Sequence, residues 1–110
     1  MENGKVLTPE KLKDYIWEES KKGSPGVSIK DFFTNSENDQ ATVRFVKVKT
    51  GGEIIMHTHK VLEVFYMLQG KGKARMGDDE QICSTGTCLI APAGVKHSMK
   101  NIGEEDILLL

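Results

Sequence analysis

The sequence predicts an all-β fold, an antiparallel sandwich or barrel, preceded by one short N-terminal helix. Three observations support this. From residue 27 onward, short runs of β-branched and aromatic residues are separated by Gly, Asn and Asp, the signature of many short strands joined by turns. Helical spacing of apolar residues is confined to the segment before residue 23, so helix signals stop where strand signals begin. The 110 residues, 38% hydrophobic and 28% charged, suit a single globular domain long enough to bury its own core.

In chain order, Thr8 offers an N-cap, Pro9 suits a first helical turn, and Leu12, Tyr15 and Ile16 share one face, with Gly23 placed to stop the helix. The cluster Gly23-Ser24-Pro25-Gly26 is a turn. It divides the chain into an N-terminal helix and turn over 1–25 and a β-barrel over 26–110, one domain overall. Strands are expected over 27–33, 41–49, 53–59, 62–68, 71–76, 81–83, 87–91, 96–101 and 106–110. In the run 71–76, alternation sends Lys71, Lys73 and Arg75 to solvent and Gly72, Ala74 and Met76 inward. The apolar run Ile107-Leu108-Leu109-Leu110 needs cover, so it either closes a sheet or pairs with a second chain.

Fifteen basic residues against sixteen acidic ones leave a net charge of -1. That balance gives no electrostatic footprint for a polyanion, so neither nucleic acid nor an anionic membrane is an expected partner. No apolar stretch approaches the ~20 residues that span a bilayer. Residues 1–5 lack the order of a signal peptide, and the expected location is cytoplasmic. Cys83 and Cys88 sit in no zinc or redox spacing and read as reduced strand or core residues.

All three histidines, His57, His59 and His97, lie near glycine-bounded turns. Residues two apart in a strand share a face, so His57 and His59 project together with Ile55, while Ile54, Met56 and Thr58 face the other way. Glu63 opens the next apolar run, and a turn over 60–62 would swing its carboxylate back toward the same interior. A lone inward histidine is more often a satisfied core residue than a ligand. A carboxylate buried with three imidazoles and no cation, however, leaves several polar groups desolvated at about 1 to 3 kcal/mol each. Imidazole and carboxylate suit first-row divalent ions, and a donor set short of six leaves coordination positions open for water or substrate. Because imidazole must be unprotonated to ligate, affinity should fall as pH drops through about 6 to 7.

These residues fall in two ordered blocks. Gly51, His57, His59, Glu63 and Gly70 are spaced by five, one, three and six residues; Gly86, Pro92, Gly94, His97 and Asn101 are spaced by five, one, two and three. The two blocks resemble the two signature motifs of the cupin superfamily at all ten positions. The resemblance implies a double-stranded β-helix, or jelly-roll barrel, holding a divalent transition metal (Fe, Mn, Zn or Ni) through His57, His59, Glu63 and His97. It also implies one of the activities such four-ligand cupins carry: dioxygenase, decarboxylase or isomerase chemistry, or non-catalytic binding or sensing. Gly51, Gly70, Gly86, Pro92 and Gly94 have turn geometry as their reading, and Asn101 reads as a turn residue that ties down nearby backbone.

Alternation from Glu63 and His97 places Phe65, Met67, Val95 and Met99 inward, with Ile55 and Met76 as neighbours. The expected substrate pocket, Ile55, Phe65, Met67, Met76 and Met99, is therefore apolar. Arg44, one of two arginines, can clamp a carboxylate or simply be solvated, and solvation is the commoner case. Scarce arginine and an apolar inner face weigh against a multiply charged substrate, which needs fixed cations. Ser98 beside His97 points to the opposite face of the strand, so no nucleophile and base pair forms there. The expected function is metal-dependent, dioxygenase-like chemistry on a small, weakly charged organic molecule. The outer face carrying Val64, Tyr66 and Leu68 is an expected homodimer contact.

Overall fold

A computed structural model of the chain describes residues 6–20, 23–34 and 42–110. The elements are a helical turn α1 (Pro9–Leu12) and ten strands: β1 (Glu18–Glu19), β2 (Val27–Phe33), β3 (Val43–Val48), β4 (Glu53–His57), β5 (Glu63–Gln69), β6 (Lys71–Met76), β7 (Asp79–Ser84), β8 (Cys88–Ala91), β9 (His97–Asn101) and β10 (Ile107–Leu109). They form a six-stranded sheet in the order β1-β2-β3-β10-β5-β8 and a four-stranded sheet in the order β4-β9-β6-β7. Every pairing is antiparallel. This is the jelly-roll barrel, with a short N-terminal helix, that the sequence predicts.

Nine expected strands correspond to β2 through β10. The beginning of the strand expected over 41–49, at residue 41, lies outside the described residues, as do residues 1–5 and 21–22. The apolar C-terminal run is covered within the chain: β10 lies between β3 and β5 at the middle of the larger sheet, with Ile107 and Leu109 fully buried. Its inward side chains meet Val27, Val46, Val48 and Met67 from one sheet and Ala74, Cys83 and Met99 from the other. The alternation over β6 holds, with Gly72 and Ala74 buried and Lys71, Lys73 and Arg75 exposed. Gly72 is there for space, because a Cβ at that position would run into Met99 Sδ and Ile107 Cδ1.

The N-terminal helix is shorter than its apolar spacing suggests. Thr8 has an extended N-cap backbone and Pro9 starts the turn, but Thr8 makes no side-chain cap hydrogen bond and the helix ends at Leu12. So short an amphipathic segment is marginal by itself. The aromatic residues after it gain more by lying on the sheet. Tyr15 packs on Phe32 at 5.9 Å, and Trp17 stacks on Phe45 at 6.4 Å beneath the ammonium groups of Lys47 and Lys30, at 4.1 and 4.9 Å. Glu18 and Glu19 then pair with Ile29 and Ser28, so β1 extends the larger sheet. Arg44 is also not simply solvated: its Nε lies 2.7 Å from Asp31 Oδ1, its partner across β2 and β3, on a half-buried surface.

Asn101 does more than tie down its own turn. Buried at the end of β9, it donates to the carbonyl oxygens of Val48 and Glu105 and accepts from the Gly103 amide, each at 2.9 Å. It thereby fastens the four-stranded sheet to β3 and to the loop that feeds β10.

Candidate metal centre

One end of the barrel gathers the four candidate ligands. His57 ends β4, Glu63 begins β5, His97 begins β9, and His59 sits in the connection between β4 and β5. His57 pairs directly with His97 across β4 and β9. The Gly94 amide donates to the His59 carbonyl oxygen at 2.8 Å, locking the second motif's loop to the first; Gly94 reaches that position with φ +81°, a left-handed conformation costly for other residues. The four donor atoms all lie within 4.8 Å of one another. The rings crowd together, with centroids 4.2 Å apart for His57 and His97 and 4.7 Å for His57 and His59.

Hydrogen bonding sets the tautomers. His57 Nδ1 lies 2.7 Å from the Ile55 carbonyl oxygen, and His97 Nδ1 lies 3.0 Å from that of Val95. A carbonyl can only accept, so both Nδ1 atoms carry the proton and each neutral ring presents its Nε2 lone pair to the interior. His59 Nε2 is 2.5 Å from Glu63 Oε1 and His97 Nε2 is 3.3 Å from the same oxygen. The His97 contact is close without being a hydrogen bond: both His97 Nε2 and Glu63 Oε1 are buried with no hydrogen-bond partner. In that tautomer both atoms are acceptors. Two facing buried acceptors fit a shared cation, and the donor set of three imidazoles and one carboxylate suits a first-row divalent ion. The residues therefore fit the metal that the fold implies.

Beside His97 is a cavity of about 20 Å³ lined by Ile54, Phe65, Met76, Leu89, His97, Ser98, Met99 and Leu109. Phe65, Met76 and Met99 are where strand alternation puts them. Met67 also points inward but is fully buried in the core beyond the cavity. Ile55 is the correction. It is 38% exposed, and Ile54 takes the lining position. The cause is a β-bulge: Ile54 pairs with Met99 and His57 with His97, so three steps along β4 match two along β9. The extra residue reverses the parity, and strict alternation cannot anticipate it. Leu89 and Leu109 were not expected in the lining. Leu89 pairs with Phe65 across β5 and β8, a register that a hairpin reading of those strands would supply. Among the described residues lining the cavity there is no lysine or arginine.

The comparisons with known proteins agree with this architecture. No curated protein matches the sequence. Among solved structures, the chain is similar to a predicted oxalate decarboxylase from Thermotoga maritima, at TM-score 0.82 and 20% identity over 96% of this chain and 94% of that one. It is similar to KdgF from a Halomonas species, at TM-score 0.77 and 18% identity over 96% of this chain and 89% of that one. It also resembles the Schizosaccharomyces pombe Cnp3 cupin domain, at TM-score 0.75 and 21% identity; 89% of this chain matches 66% of that one. These likenesses carry the fold. The sequence profile of the family described as Cupin domain matches residues 44–110, a span that holds both motifs and all four candidate ligands. The chain belongs to the cupin family.

Proposed function

We propose that this cupin is a divalent-metal-dependent oxidoreductase of the dioxygenase type, acting on a small, weakly charged organic molecule. The observation that carries the reading is the pair of facing buried acceptors, His97 Nε2 and Glu63 Oε1, inside a set of four donors next to an apolar cavity. When bound, a divalent ion of the Fe, Mn, Zn or Ni kind supplies Lewis acidity and, if redox-active, a route to dioxygen activation. The chain's own residues do the positioning. The carbonyl oxygens of Ile55 and Val95 hold His57 and His97 in the tautomer that aims Nε2 inward. Phe65, with its ring centroid 6.0 Å from that of His97, and the aliphatic side chains around it keep bulk water from that flank.

Oxygen uptake tests the proposal. Protein loaded anaerobically with Fe(II) and then exposed to air is expected to consume oxygen with at least one member of a panel of enols, thiols and diphenols. No consumption above the metal-free control with any of them would leave a binding or sensing role. We further propose that the protein works as a cytoplasmic homodimer, with its two thiols reduced and the outer face around Tyr66 in the contact.

A further inference from the structure

We propose that the cavity beside His97 is a niche for an apolar diatomic gas, dioxygen in the first place, and not the seat of the organic substrate. This deepens the oxygen-dependent reading above and takes its functional meaning from it.

Size decides against the organic molecule. The cavity is about 20 Å³, just above the ~10 to 15 Å³ that admits one water, whereas a benzene ring occupies a cavity of roughly 150 Å³. Chemistry decides against water. Ile54, Phe65, Met76, Leu89, Met99 and Leu109 supply nearly the whole lining. The two polar neighbours are His97, whose Nδ1 already serves the Val95 carbonyl oxygen while its Nε2 turns to Glu63, and Ser98. An ordered water needs two to four polar partners, which this half-open apolar pocket does not offer, whereas an apolar gas needs none. Location gives the niche its use. His97 both lines it and belongs to the four-donor cluster, so a gas molecule held there rests against a candidate metal ligand. The exposed loop that carries His59 and leads into Glu63, with Val61 and Leu62 at its tip 66% and 60% accessible, is left as the side from which a larger substrate approaches.

Dioxygen is paramagnetic and speeds the relaxation of nuclei it visits, so the metal-free protein labelled at its methionine methyl groups reports occupancy directly. The probe is dioxygen under increasing pressure, with nitrogen at equal pressure as the control. Met76 and Met99 line the niche; Met99 is buried and Met76 partly exposed, Met67 is as buried as Met99 but lies outside the lining, and Met56 is exposed on the bulge. The expected result is a saturating enhancement at Met99 several-fold above that at Met67, with saturation rather than a linear rise at the partly exposed Met76. Leu89→Phe, which fills the niche from β8, should remove the excess, and Ile54→Phe serves if that variant does not fold. Enhancement at Met99 no greater than at Met67 overturns the proposal. Occupancy without oxygen consumption by the Fe(II)-loaded protein would uphold the niche and remove the dioxygenase reading; consumption without occupancy would do the reverse.

Discussion

His97 Nε2 and Glu63 Oε1 face each other across 3.3 Å inside the barrel with no hydrogen bond between them. Because the Val95 carbonyl oxygen fixes the proton on His97 Nδ1, the pair is two acceptors in contact, unfavourable until a cation enters or a donor replaces one of them. Two outcomes follow from that arrangement. Addition of a divalent metal at a hundredfold excess over its dissociation constant should stabilise the protein by about 2.7 kcal/mol, on the order of 10 °C in melting temperature for a domain of this size. Glu63→Gln should have opposite effects on the two forms. In the place of Oε1, which lies against both His97 Nε2 and His59 Nε2, an amide nitrogen can donate to His97, so the metal-free protein melts at the same or a higher temperature while the metal-induced rise shrinks. A metal-free Glu63→Gln protein melting several degrees lower would contradict the acceptor–acceptor assignment.

Asn101 bears a load that its place in a turn does not suggest. Its three hydrogen bonds, to the carbonyl oxygens of Val48 and Glu105 and from the Gly103 amide, are made at a buried position. Asn101→Ala should cost roughly 2 to 4 kcal/mol, since each lost bond is worth about 1 kcal/mol and a buried partner left unsatisfied adds to that. Asn101→Asp should cost at least as much, because a carboxylate oxygen then faces two carbonyl oxygens. Urea denaturation reads both; a loss below about 1 kcal/mol would mean that water takes over these partners.

The barrel was legible in the sequence because its strands alternate and its turns are marked by glycine, as in β6, where every second residue is charged and exposed. The four candidate ligands were legible because spacing along two short motifs carries their positions without any knowledge of topology. What was not legible depends on non-local energetics. The bulge in β4 that turns Ile54 inward and Ile55 outward costs one residue of register and leaves no mark on hydrophobicity. The segment from Tyr15 to Glu19 gives up helical spacing because Phe32 and Phe45, distant in sequence, offer aromatic contacts. Arg44 finds Asp31 only through the pairing of β2 with β3.

The two thiols should differ sharply in reactivity. Cys88 is exposed on the edge strand β8, and Cys83 is buried against the core. Burial pushes the Cys83 thiol above its ordinary value, with a backbone hydrogen bond from Ala74 opposing it. The thiolate is the nucleophile, so near neutral pH Cys88 should react promptly with a maleimide while Cys83 reacts only when the barrel opens. The sign of the stability effect follows. The folded state holds the Cys83 proton more tightly than the unfolded chain, so this contribution is intact below the unfolded value of 9.0 and is lost as pH rises through and beyond it. Equal labelling rates for the two thiols in native buffer would contradict the burial of Cys83.

The outer face of the larger sheet sets the expected assembly. Val64 pairs with Ile90 across β5 and β8, Leu110 exchanges backbone hydrogen bonds with Tyr66, and Leu68 continues the row. All five side chains are between 38% and 57% exposed. A contiguous apolar patch of a few hundred Å² is at the upper end of what a soluble monomer leaves open, and a two-fold pairing that covers it buries the same residues from both copies. Sedimentation at micromolar concentration should therefore give a species of twice the 12.2 kDa chain mass. Val64→Glu places two like charges near the centre of that contact and should raise the dissociation constant by tenfold or more, about 1.4 kcal/mol, while leaving metal-induced stabilisation in place. A single 12.2 kDa species for the unaltered protein would show that this face stays open to solvent.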